Sequence, residues 1–298
     1  MITTPPTAPR TSIERIAFQG SLGAYSDLAC RTAYPGVPTL PCQTFEAAID
    51  AVLQGEASLA MLPTENSLVG RVPDMHALLP HSGLSIIAEH FQRVEHCLLG
   101  PKGTPITAVK RVHSHAVALG QVRNLIRELG AVSVIEADTA VSAELVARWN
   151  NPQDAAIASA LAAEIHGLEV LRANVEDAAH NTTRFYVMAR TPLLPPPDAE
   201  NLMTSFVFRV RNVPAALFKA LSGFATNGVN MTRLESYMVG GQFAATQFLA
   251  EIDGHPEQHA VRLALEELDF FSREINILGV YPAAPFRLAQ RAARLGSD

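Results

Sequence analysis

Two hydroxyl groups and a guanidinium stand at the head of the stretch NTTRFYV, residues Asn181 to Val187, which otherwise has the composition of a buried strand. A structural explanation exists, because β-branched threonine suits strands and arginine can extend from an edge into solvent. A chemical explanation exists as well, since Thr183 can donate a hydrogen bond and Arg184 can bind a carboxylate through two parallel hydrogen bonds. The rest of the sequence is needed to choose between the structural and the chemical explanation.

Other polar residues stand where strand-like runs end. Gly20 and Ser21 lie at the end of the run RIAFQG, the segment Glu65 to Ser67 follows the run ASLAML, and Ser114 and His115 lie at the end of the run RVHS. In open α/β sheets, ligands bind at the carboxyl ends of strands, where helix N termini offer unpaired N–H groups to anions. These loops are therefore candidate binding positions.

Each of these loops also has a structural alternative. The segment Glu65 to Ser67 could be a turn that caps a helix. His115 could donate a proton or cap a helix, and we favour capping because it needs no further assumption. His113 and His115 lack a third ligand at a suitable spacing, so we predict no metal site.

Length and composition limit the class of protein. The chain has 298 residues and is 48% hydrophobic, which is enough for two or three domains with sizeable cores. The opening MITTPPTAPRTSIER contains no apolar run that could serve as a signal sequence, and no later stretch reaches the roughly 20 apolar residues of a membrane span. We therefore expect a cytoplasmic protein.

Charge and cysteine content narrow the choice of partners. The net charge is −6, the pI is near 5.9 and no cluster of lysine and arginine occurs, so we expect neither nucleic acid nor a membrane surface as partner. Cys30, Cys42 and Cys97 show no paired spacing and are expected to be buried and free. A small-molecule ligand is the better expectation.

A proline-rich segment divides the chain. Residues 192–202 contain four prolines and are expected to act as a spacer between two regions with regular hydrophobic patterns. In residues 1–191, strand-like and helical runs alternate, which predicts an α/β domain with mostly parallel strands. Residues 203–282 show the order β-α-β-β-α-β, which is the ferredoxin-like unit. Residues 283–298 form a short basic tail, for which we expect little order.

Several element boundaries are specific enough to test. Thr44 is the expected N-cap of a helix in TFEAAIDAVLQG, which ends at Gly55. Pro63 is expected to close the strand ASLAML, and the run HAVALGQVRNLIRELG, which begins at His115, is expected to form one helix.

Six stretches occur in a specific order and spacing: AFQGSLGAYSD, LPTENSLVGRV, VHSHAVALGQ, ADTAVSAE, NTTRFYV and GVNMTRLES. Each alone is a weak signal. Together, and over nearly the whole chain, they resemble prephenate dehydratases that carry a C-terminal ACT regulatory domain.

The resemblance implies roles for the opening motif. The family's Asn-x-Thr-Arg-Phe motif falls on Asn181, Thr183, Arg184 and Phe185, with Thr183 as a catalytic residue and Arg184 as a contact to a substrate carboxylate. Phe185 would give a less polar wall beside the carboxylate that departs. By resemblance the reaction converts prephenate to phenylpyruvate, with loss of carbon dioxide and the ring hydroxyl, and we predict no cofactor. Further substrate contacts would come from Gly20, Ser21, Asn66, Ser67, Ser114, His115 and Asn181.

The resemblance also implies an architecture. The catalytic region is expected to be two lobes of the type II periplasmic-binding-protein kind, with the chain crossing between them and the site in the cleft. Such lobes close about a ligand by hinge motion. The family's Ser-His-Pro-Gln reads Ser114-His115-Ala116-Val117 here, so the contact from the glutamine position is not expected.

In the family, the ACT domain binds phenylalanine at a dimer interface and inhibits the enzyme. The corresponding residues here are Ala216, Leu217, Asn230, Glu235 and Ser236. The chain departs from the family at three neighbouring positions, where Ala215 replaces glycine, Tyr237 replaces arginine and Met238 replaces proline. We expect phenylalanine to bind and the chain to form a homodimer or homotetramer; a domain that only dimerises is the alternative.

Two other functions stay open at this point. Arogenate dehydratase differs only in a substrate that carries an amino group in place of the keto oxygen of prephenate, and the sequence does not separate the two. A non-catalytic amino-acid sensor is the alternative from another class, and loss of the Thr-Arg-Phe motif would have favoured it.

Overall fold

Three β-sheets organise the residues that the computed structural model describes, which are residues 13–211, 213–238 and 245–295. Two sheets precede the proline-rich segment and the third follows it. The first two, with their helices, are called here the first lobe and the second lobe, and the third with its helices is called the C-terminal domain.

The first lobe is built on a six-stranded sheet in the order β2-β1-β3-β11-β5, with β4 paired to β3. Strands β1, β2 and β3 are parallel, and β11 runs antiparallel to both β3 and β5. The strands are β1 (Ile16–Gln19), β2 (Thr39–Cys42), β3 (Leu59–Asn66), β4 (Gly70–Arg71), β5 (Ser85–Arg93) and β11 (Thr182–Ala189). The helices are α1 (Tyr25–Ala33), α2 (Phe45–Leu53) and α3 (Pro73–Leu78).

The second lobe contains a five-stranded sheet in the order β10-β6-β9-β7-β8, in which β7, β8 and β9 are parallel. The strands are β6 (Cys97–Gly100), β7 (Arg111–Ser114), β8 (Val132–Ile135), β9 (Asp154–Ala158) and β10 (Glu169–Arg172). The helices are α4 (Ala116–Gly120), α5 (Arg123–Leu129), α6 (Thr139–Trp149) and α7 (Ala160–His166). Both lobes confirm the predicted α/β class, but their sheets are mixed where mostly parallel strands were predicted.

The chain crosses between the lobes twice, after β5 and again before β11. The two crossing segments lie side by side, since Val94 N donates to Asn181 O and Val175 N donates to His96 O, both at 2.9 Å. The two crossings agree with the predicted two-lobed arrangement. The closer likeness to type II periplasmic binding proteins stays a prediction.

Side-chain caps begin the helices that follow these strands. Thr44 accepts a hydrogen bond from Ala47 N at 3.1 Å, which confirms the predicted start of α2. Asp138 accepts from Ala140 N and begins α6, and Ser159 accepts from Ala162 N and begins α7. These caps satisfy N–H groups that the first helical turn leaves unpaired.

The C-terminal domain confirms the predicted β-α-β-β-α-β order. Its sheet has the strand order β13-β14-β12-β15, and α8 and α9 cover one face around Phe206, Phe208, Phe224 and Phe248. The elements are β12 (Leu202–Val210), α8 (Ala216–Thr226), β13 (Met231–Met238), β14 (Ala245–Asp253), α9 (His259–Phe271), β15 (Ser272–Pro282) and α10 (Pro285–Leu295).

The other face of the C-terminal sheet packs on the first lobe. Val207 and Leu249 share a buried core with Tyr186 and Met188 of β11. The approach is close at Gly279, where a Cβ atom would lie 2.0 Å from the backbone oxygen of Ile86. Strand β11 therefore lies between the cleft side of the first lobe and the C-terminal domain.

Three predicted boundaries were wrong. Strand β3 continues through Pro63 to Asn66, because β11 pairs Arg184 with Glu65 and Phe185 with Pro63, and this bulge leaves Thr64 without a partner across the ladder. The single helix predicted from His115 is two helices, α4 and α5, which break at Gln121. The tail is ordered over α10, where Phe286 stacks on Phe91 with ring centroids 4.7 Å apart.

Candidate active site

The two lobes face each other through the carboxyl ends of their parallel strands. The Ser159 hydroxyl, at the start of α7, donates to the backbone oxygen of Gly23 at 2.6 Å. Gly23 has φ +89°, and a Cβ atom on it would lie 2.8 Å from Cα of Ala162, so the contact requires glycine. A cavity of about 570 Å³ lies beside this contact, lined by Gly20 and Ser21 from the first lobe and Asp138 from the second.

Thr183 lies at the same edge of the first lobe's sheet, two strands away from β1. The register of β11 on β3 places it opposite Asn66. Asn66 Nδ2 donates to Thr183 Oγ1 at 3.0 Å and to Asn181 Oδ1 at 2.8 Å. Asn181 Nδ2 in turn donates to Gln121 Oε1 of the second lobe at 2.9 Å. Three predicted site residues thus form one polar network that reaches across the cleft.

The direction of this network follows from backbone groups. Asn66 Oδ1 accepts from Leu68 N at 2.9 Å and from Val69 N at 3.1 Å, and a backbone N–H can only donate. The Asn66 amide nitrogen must therefore be the group that faces Thr183. The Thr183 hydroxyl accepts this hydrogen bond, which leaves its own proton to be donated to another group.

Gln121 is a candidate site residue that the sequence reasoning missed. It lies inside the stretch VHSHAVALGQ, but the predicted single helix would have given its side chain no special position. In the structure it follows α4, and Asp177 starts a new helix by accepting from Arg123 N at 2.9 Å. The glycine at position 120 was the available signal, because glycine inside a helical pattern weakens it.

Two predicted substrate contacts have their hydroxyl groups engaged by the protein. Ser67 Oγ donates to His180 O at 2.7 Å and accepts from Thr182 N at 2.9 Å, which ties the β3-β4 turn to the start of β11. Ser114 is buried, and its Oγ donates to Ile157 O at 2.7 Å. Both contacts fix the positions of strands, and a substrate contact from Ser114 does not fit this arrangement.

His115 acts as a helix cap, which is the role the sequence favoured. Its Nδ1 accepts from Val117 N at 3.3 Å at the start of α4. Gly20 lines the cavity, but its N–H already donates to Cys42 O at 2.9 Å, so an anion would have to bind to its neighbours.

The predicted contact between Arg184 and a substrate carboxylate does not fit the structure. Side chains alternate along a strand, so Arg184 projects to the face opposite Thr183. The Arg184 side chain is 2% exposed; its Nη1 donates to Glu251 Oε2 of the C-terminal domain at 2.8 Å, and its Nε donates to Glu89 Oε2, also at 2.8 Å. Its donors are engaged by carboxylates of the protein.

The charge on Glu251 reflects this pairing. Burial raises the pKa of the Glu251 carboxyl, but the neighbouring Arg184 and Arg233 outweigh burial and bring the pKa down to about 2. The carboxyl also accepts a hydrogen bond from the Tyr186 hydroxyl. A buried, ionised cluster therefore joins the first lobe to the C-terminal domain.

Phe185 does not form the predicted wall of the cleft. It is buried and packs with Ile16, Phe18 and Val187 in a core of the first lobe. Packing explains its place in the motif: Phe185 lies two residues after Thr183 on β11, so its side chain is on the same face of the sheet but inside the core.

The residues predicted to bind phenylalanine lie near opposite ends of β13. Ala216 and Leu217 begin α8, and the register of β12, β14 and β13 brings that end of the domain close to the strand end that carries Glu235 and Ser236. Asn230 lies at the other end, where its Nδ2 donates to Asp253 Oδ2 at 2.7 Å. These residues are not gathered in one place within a single chain.

The described residues contain no group of three side chains arranged to hold a metal ion. Nor does any helix among them have both the length and the apolar surface needed to cross a membrane. The cytoplasmic location stays a prediction.

Fold and site together define a two-lobed α/β enzyme with an appended ferredoxin-like domain. The profile of the family described as prephenate dehydratase matches residues 16–193, and the chain belongs to this family. It is thus a dehydratase, a lyase of aromatic amino-acid biosynthesis.

Several relatives resemble the chain over most of its length. A bifunctional N-acyl-homoserine lactone acylase/prephenate dehydratase of Komagataeibacter europaeus is 62% identical over 91% of this chain and 97% of its own. Arogenate dehydratase/prephenate dehydratase 2 of Arabidopsis thaliana is 36% identical over 90% of this chain and 72% of its own. The solved structure of an Arthrobacter aurescens prephenate dehydratase in complex with L-Phe has 29% identity and a TM-score of 0.82, and it covers 95% of this chain and 98% of that one.

Proposed function

We propose that this chain converts prephenate to phenylpyruvate, with Thr183 as the hydrogen-bond donor to the departing ring hydroxyl. The observation that carries the proposal is the direction of the Asn66–Thr183 hydrogen bond. Because Asn66 donates to the Thr183 oxygen, the Thr183 proton is the one left to meet a substrate in the cleft.

The reaction needs a hydrogen-bond donor at the departing hydroxyl and only weak binding of the departing carboxylate. As the bond between the ring and its carboxylate breaks, the electron pair moves into the ring and the hydroxyl leaves from the opposite carbon. With one proton added to that hydroxyl, the products are carbon dioxide, water and phenylpyruvate. A donor placed at the departing oxygen lowers the barrier, whereas tight binding of the departing carboxylate would raise it.

The proposed substrate contacts are Ser21 and the polar groups around Thr183. Ser21 lines the cavity between the lobes, close to the N terminus of α1, where an anion is favoured. Asn66, Asn181 and Gln121 frame Thr183. Arg184, Phe185 and Ser114 are assigned supporting roles in the fold.

We also propose that the C-terminal domain is an ACT domain that binds phenylalanine and regulates the enzyme. The relative from Arthrobacter was solved with L-Phe and covers both parts of this chain. Ala216, Leu217, Glu235 and Ser236 lie toward one end of the domain, with Asn230 at the other, so a second copy of the chain would complete the site in a homodimer or homotetramer.

The test is an assay with the purified chain on prephenate and on arogenate, each with and without L-phenylalanine. Phenylpyruvate formed from prephenate, and reduced by phenylalanine, supports both proposals. Faster formation of phenylalanine from arogenate would assign the chain to arogenate dehydratases. Turnover without inhibition would remove the regulatory proposal, and no turnover of either substrate would favour an amino-acid sensor.

A second candidate activity is hydrolysis of N-acyl-homoserine lactones. The supporting observation is the relative from Komagataeibacter, which carries both activities in its name and is 62% identical over 97% of its length. The test is release of free homoserine lactone from an acylated one by the purified chain. Equal rates in wild-type protein and a heat-denatured control would exclude this activity.

A further inference from the structure

His96 and Tyr25 extend the polar network beyond the residues assigned to the site. His96 lies in the first crossing between the lobes and is 2% exposed. Its Nε2 is 2.8 Å from Gln121 Oε1, and its Nδ1 is 2.8 Å from the hydroxyl of Tyr25 in α1. One chain of hydrogen bonds thus joins the first lobe, the crossing and the second lobe.

The position of the proton on His96 follows from the direction of the hydrogen bond between Asn181 and Gln121. Asn181 donates to Gln121 Oε1, so this oxygen is an acceptor, and His96 Nε2 must be a donor. Burial lowers the pKa of His96 more than its bond to Gln121 and the charge of Glu176 raise it, which favours the neutral ring. The neutral ring then carries its one proton on Nε2, and Nδ1 accepts from the Tyr25 hydroxyl at 2.8 Å, a shorter distance than the 3.0 Å from that hydroxyl to the backbone oxygen of Glu95.

This arrangement determines which way the Gln121 amide faces. Its oxygen is held by two donors, His96 and Asn181, so its nitrogen must point the other way. The Gln121 side chain is partly exposed, and its nitrogen has no acceptor within the described part of the chain. The Gln121 oxygen, held in this way, fixes the Asn181 amide, whose own oxygen accepts from the Asn66 nitrogen that also donates to Thr183.

We propose that His96 and Tyr25 are positioning residues, which hold the Gln121 oxygen toward Asn181 and so fix the Asn181–Asn66 pair that donates to the Thr183 hydroxyl. The inference rests on the proposed dehydratase function for its effect on rate, but the orientation itself does not depend on it. A donor held in advance contributes more to transition-state stabilisation than one that must reorient during the reaction.

The first test measures the tautomer directly. Nitrogen-15 NMR of the His96 ring in the full chain, assigned by its loss in His96→Gln, should show a protonated Nε2 and an unprotonated Nδ1 at neutral pH. The Tyr25→Phe variant should keep the proton on Nε2, where the Gln121 oxygen accepts it, and should shift the Nδ1 resonance, because Nδ1 loses its donor. A ring protonated on Nδ1 in the wild-type protein would overturn the proposal, and this result does not require turnover.

The second test compares two substitutions at the same position. A glutamine amide can reach the place of Nε2, whereas an asparagine amide reaches only the place of Nδ1. We expect His96→Gln to keep kcat within a few-fold, and His96→Asn to lose about 10- to 100-fold in kcat, with KM changing less, which is the range for loss of one oriented donor. Equal kcat in His96→Asn and the wild-type protein would overturn the proposal.

A control separates positioning from general damage to a buried histidine. His113 is buried in the second lobe, where it contacts Asp154 and Glu136 instead of the cleft. His113→Asn should lower the melting temperature without a selective loss of kcat. If His96→Gln and His96→Asn lose kcat and melting temperature equally, His96 is only structural. If the wild-type chain does not turn over prephenate, the proposed function fails, and the NMR result alone decides the orientation.

Discussion

Thr183 and Arg184 are neighbours on β11, and their side chains serve opposite faces of one sheet. The Thr183 oxygen accepts a hydrogen bond from Asn66 at 3.0 Å, and the Arg184 guanidinium donates to Glu251 of the C-terminal domain at 2.8 Å. Two adjacent residues therefore connect the candidate site and the domain interface.

Removing the Thr183 hydroxyl should abolish most turnover. We expect Thr183→Ala to lower kcat by about 100-fold or more, because the departing hydroxyl loses its donor. Thr183→Ser keeps the hydroxyl and should retain much of the rate. Thermal melting of both variants should match the wild-type protein. A folded Thr183→Ala variant with near-normal turnover of prephenate would remove this residue from the mechanism.

Arg184 should matter for stability rather than for substrate affinity. Arg184→Met leaves Glu89 and Glu251 buried without their shared partner, and removal of one member of a buried ion pair costs about 3–5 kcal/mol. Chemical denaturation should show this loss, with KM for prephenate little changed if the variant remains folded. A stable variant with a tenfold higher KM would instead restore the predicted substrate contact.

The low pKa of Glu251 makes the interface sensitive to acid. Its pKa is about 2 in the folded chain and near 4.5 when unfolded, so its contribution is present above pH 4.5 and is lost as the pH falls toward 2. The size of this contribution is about 3 kcal/mol. Urea unfolding at several pH values between 5 and 2 should show a steeper loss in the wild-type protein than in Glu251→Gln. Parallel slopes would show that Glu251 is not the titrating group.

The parts of the fold that sequence predicted well are those governed by local chemistry. Thr44 and the β-α-β-β-α-β order follow from capping and periodicity within short segments, and both were confirmed. The parallel strands and the loops at their ends follow in the same way. The sequence therefore located the edge of the sheet at which Asn66 and Thr183 meet.

The parts that sequence missed depend on contacts between distant segments. Pro63 stays within β3 because β11 pairs with this strand on both sides of a bulge at Thr64, and no local signal in the sequence indicates that pairing. The direction of Arg184 depends on Glu251, which lies 67 positions away in the chain. The position of the Gln121 side chain depends on the end of α4 at that residue, which the sequence pattern did not predict.

Ala215 adopts a backbone conformation that favours glycine. It has φ +62° directly before α8. Ala215→Gly should therefore stabilise the chain by about 0.5–1 kcal/mol, since relief of the left-handed strain exceeds the added freedom of the unfolded chain. Ala225→Gly, within α8, is the matched control and should destabilise. The midpoints of chemical denaturation measure the change in stability of both variants. A loss of stability at both positions would contradict the prediction.

The C-terminal helix α10 should contribute to stability through Arg287. Its guanidinium donates two hydrogen bonds to Glu89, at 2.8 and 2.7 Å, and is 15% exposed. Arg262 on α9 pairs with Glu266 but is 51% exposed, so it serves as a control for an arginine at the surface. We expect Arg287→Gln to cost about 1.5–3 kcal/mol and Arg262→Gln no more than about 0.5 kcal/mol in urea unfolding. Glu89 also pairs with Arg184, so the loss at Arg287 weakens the same cluster that joins β11 to the C-terminal domain. Equal, small effects of the two substitutions would mean that α10 is not docked on the first lobe in solution.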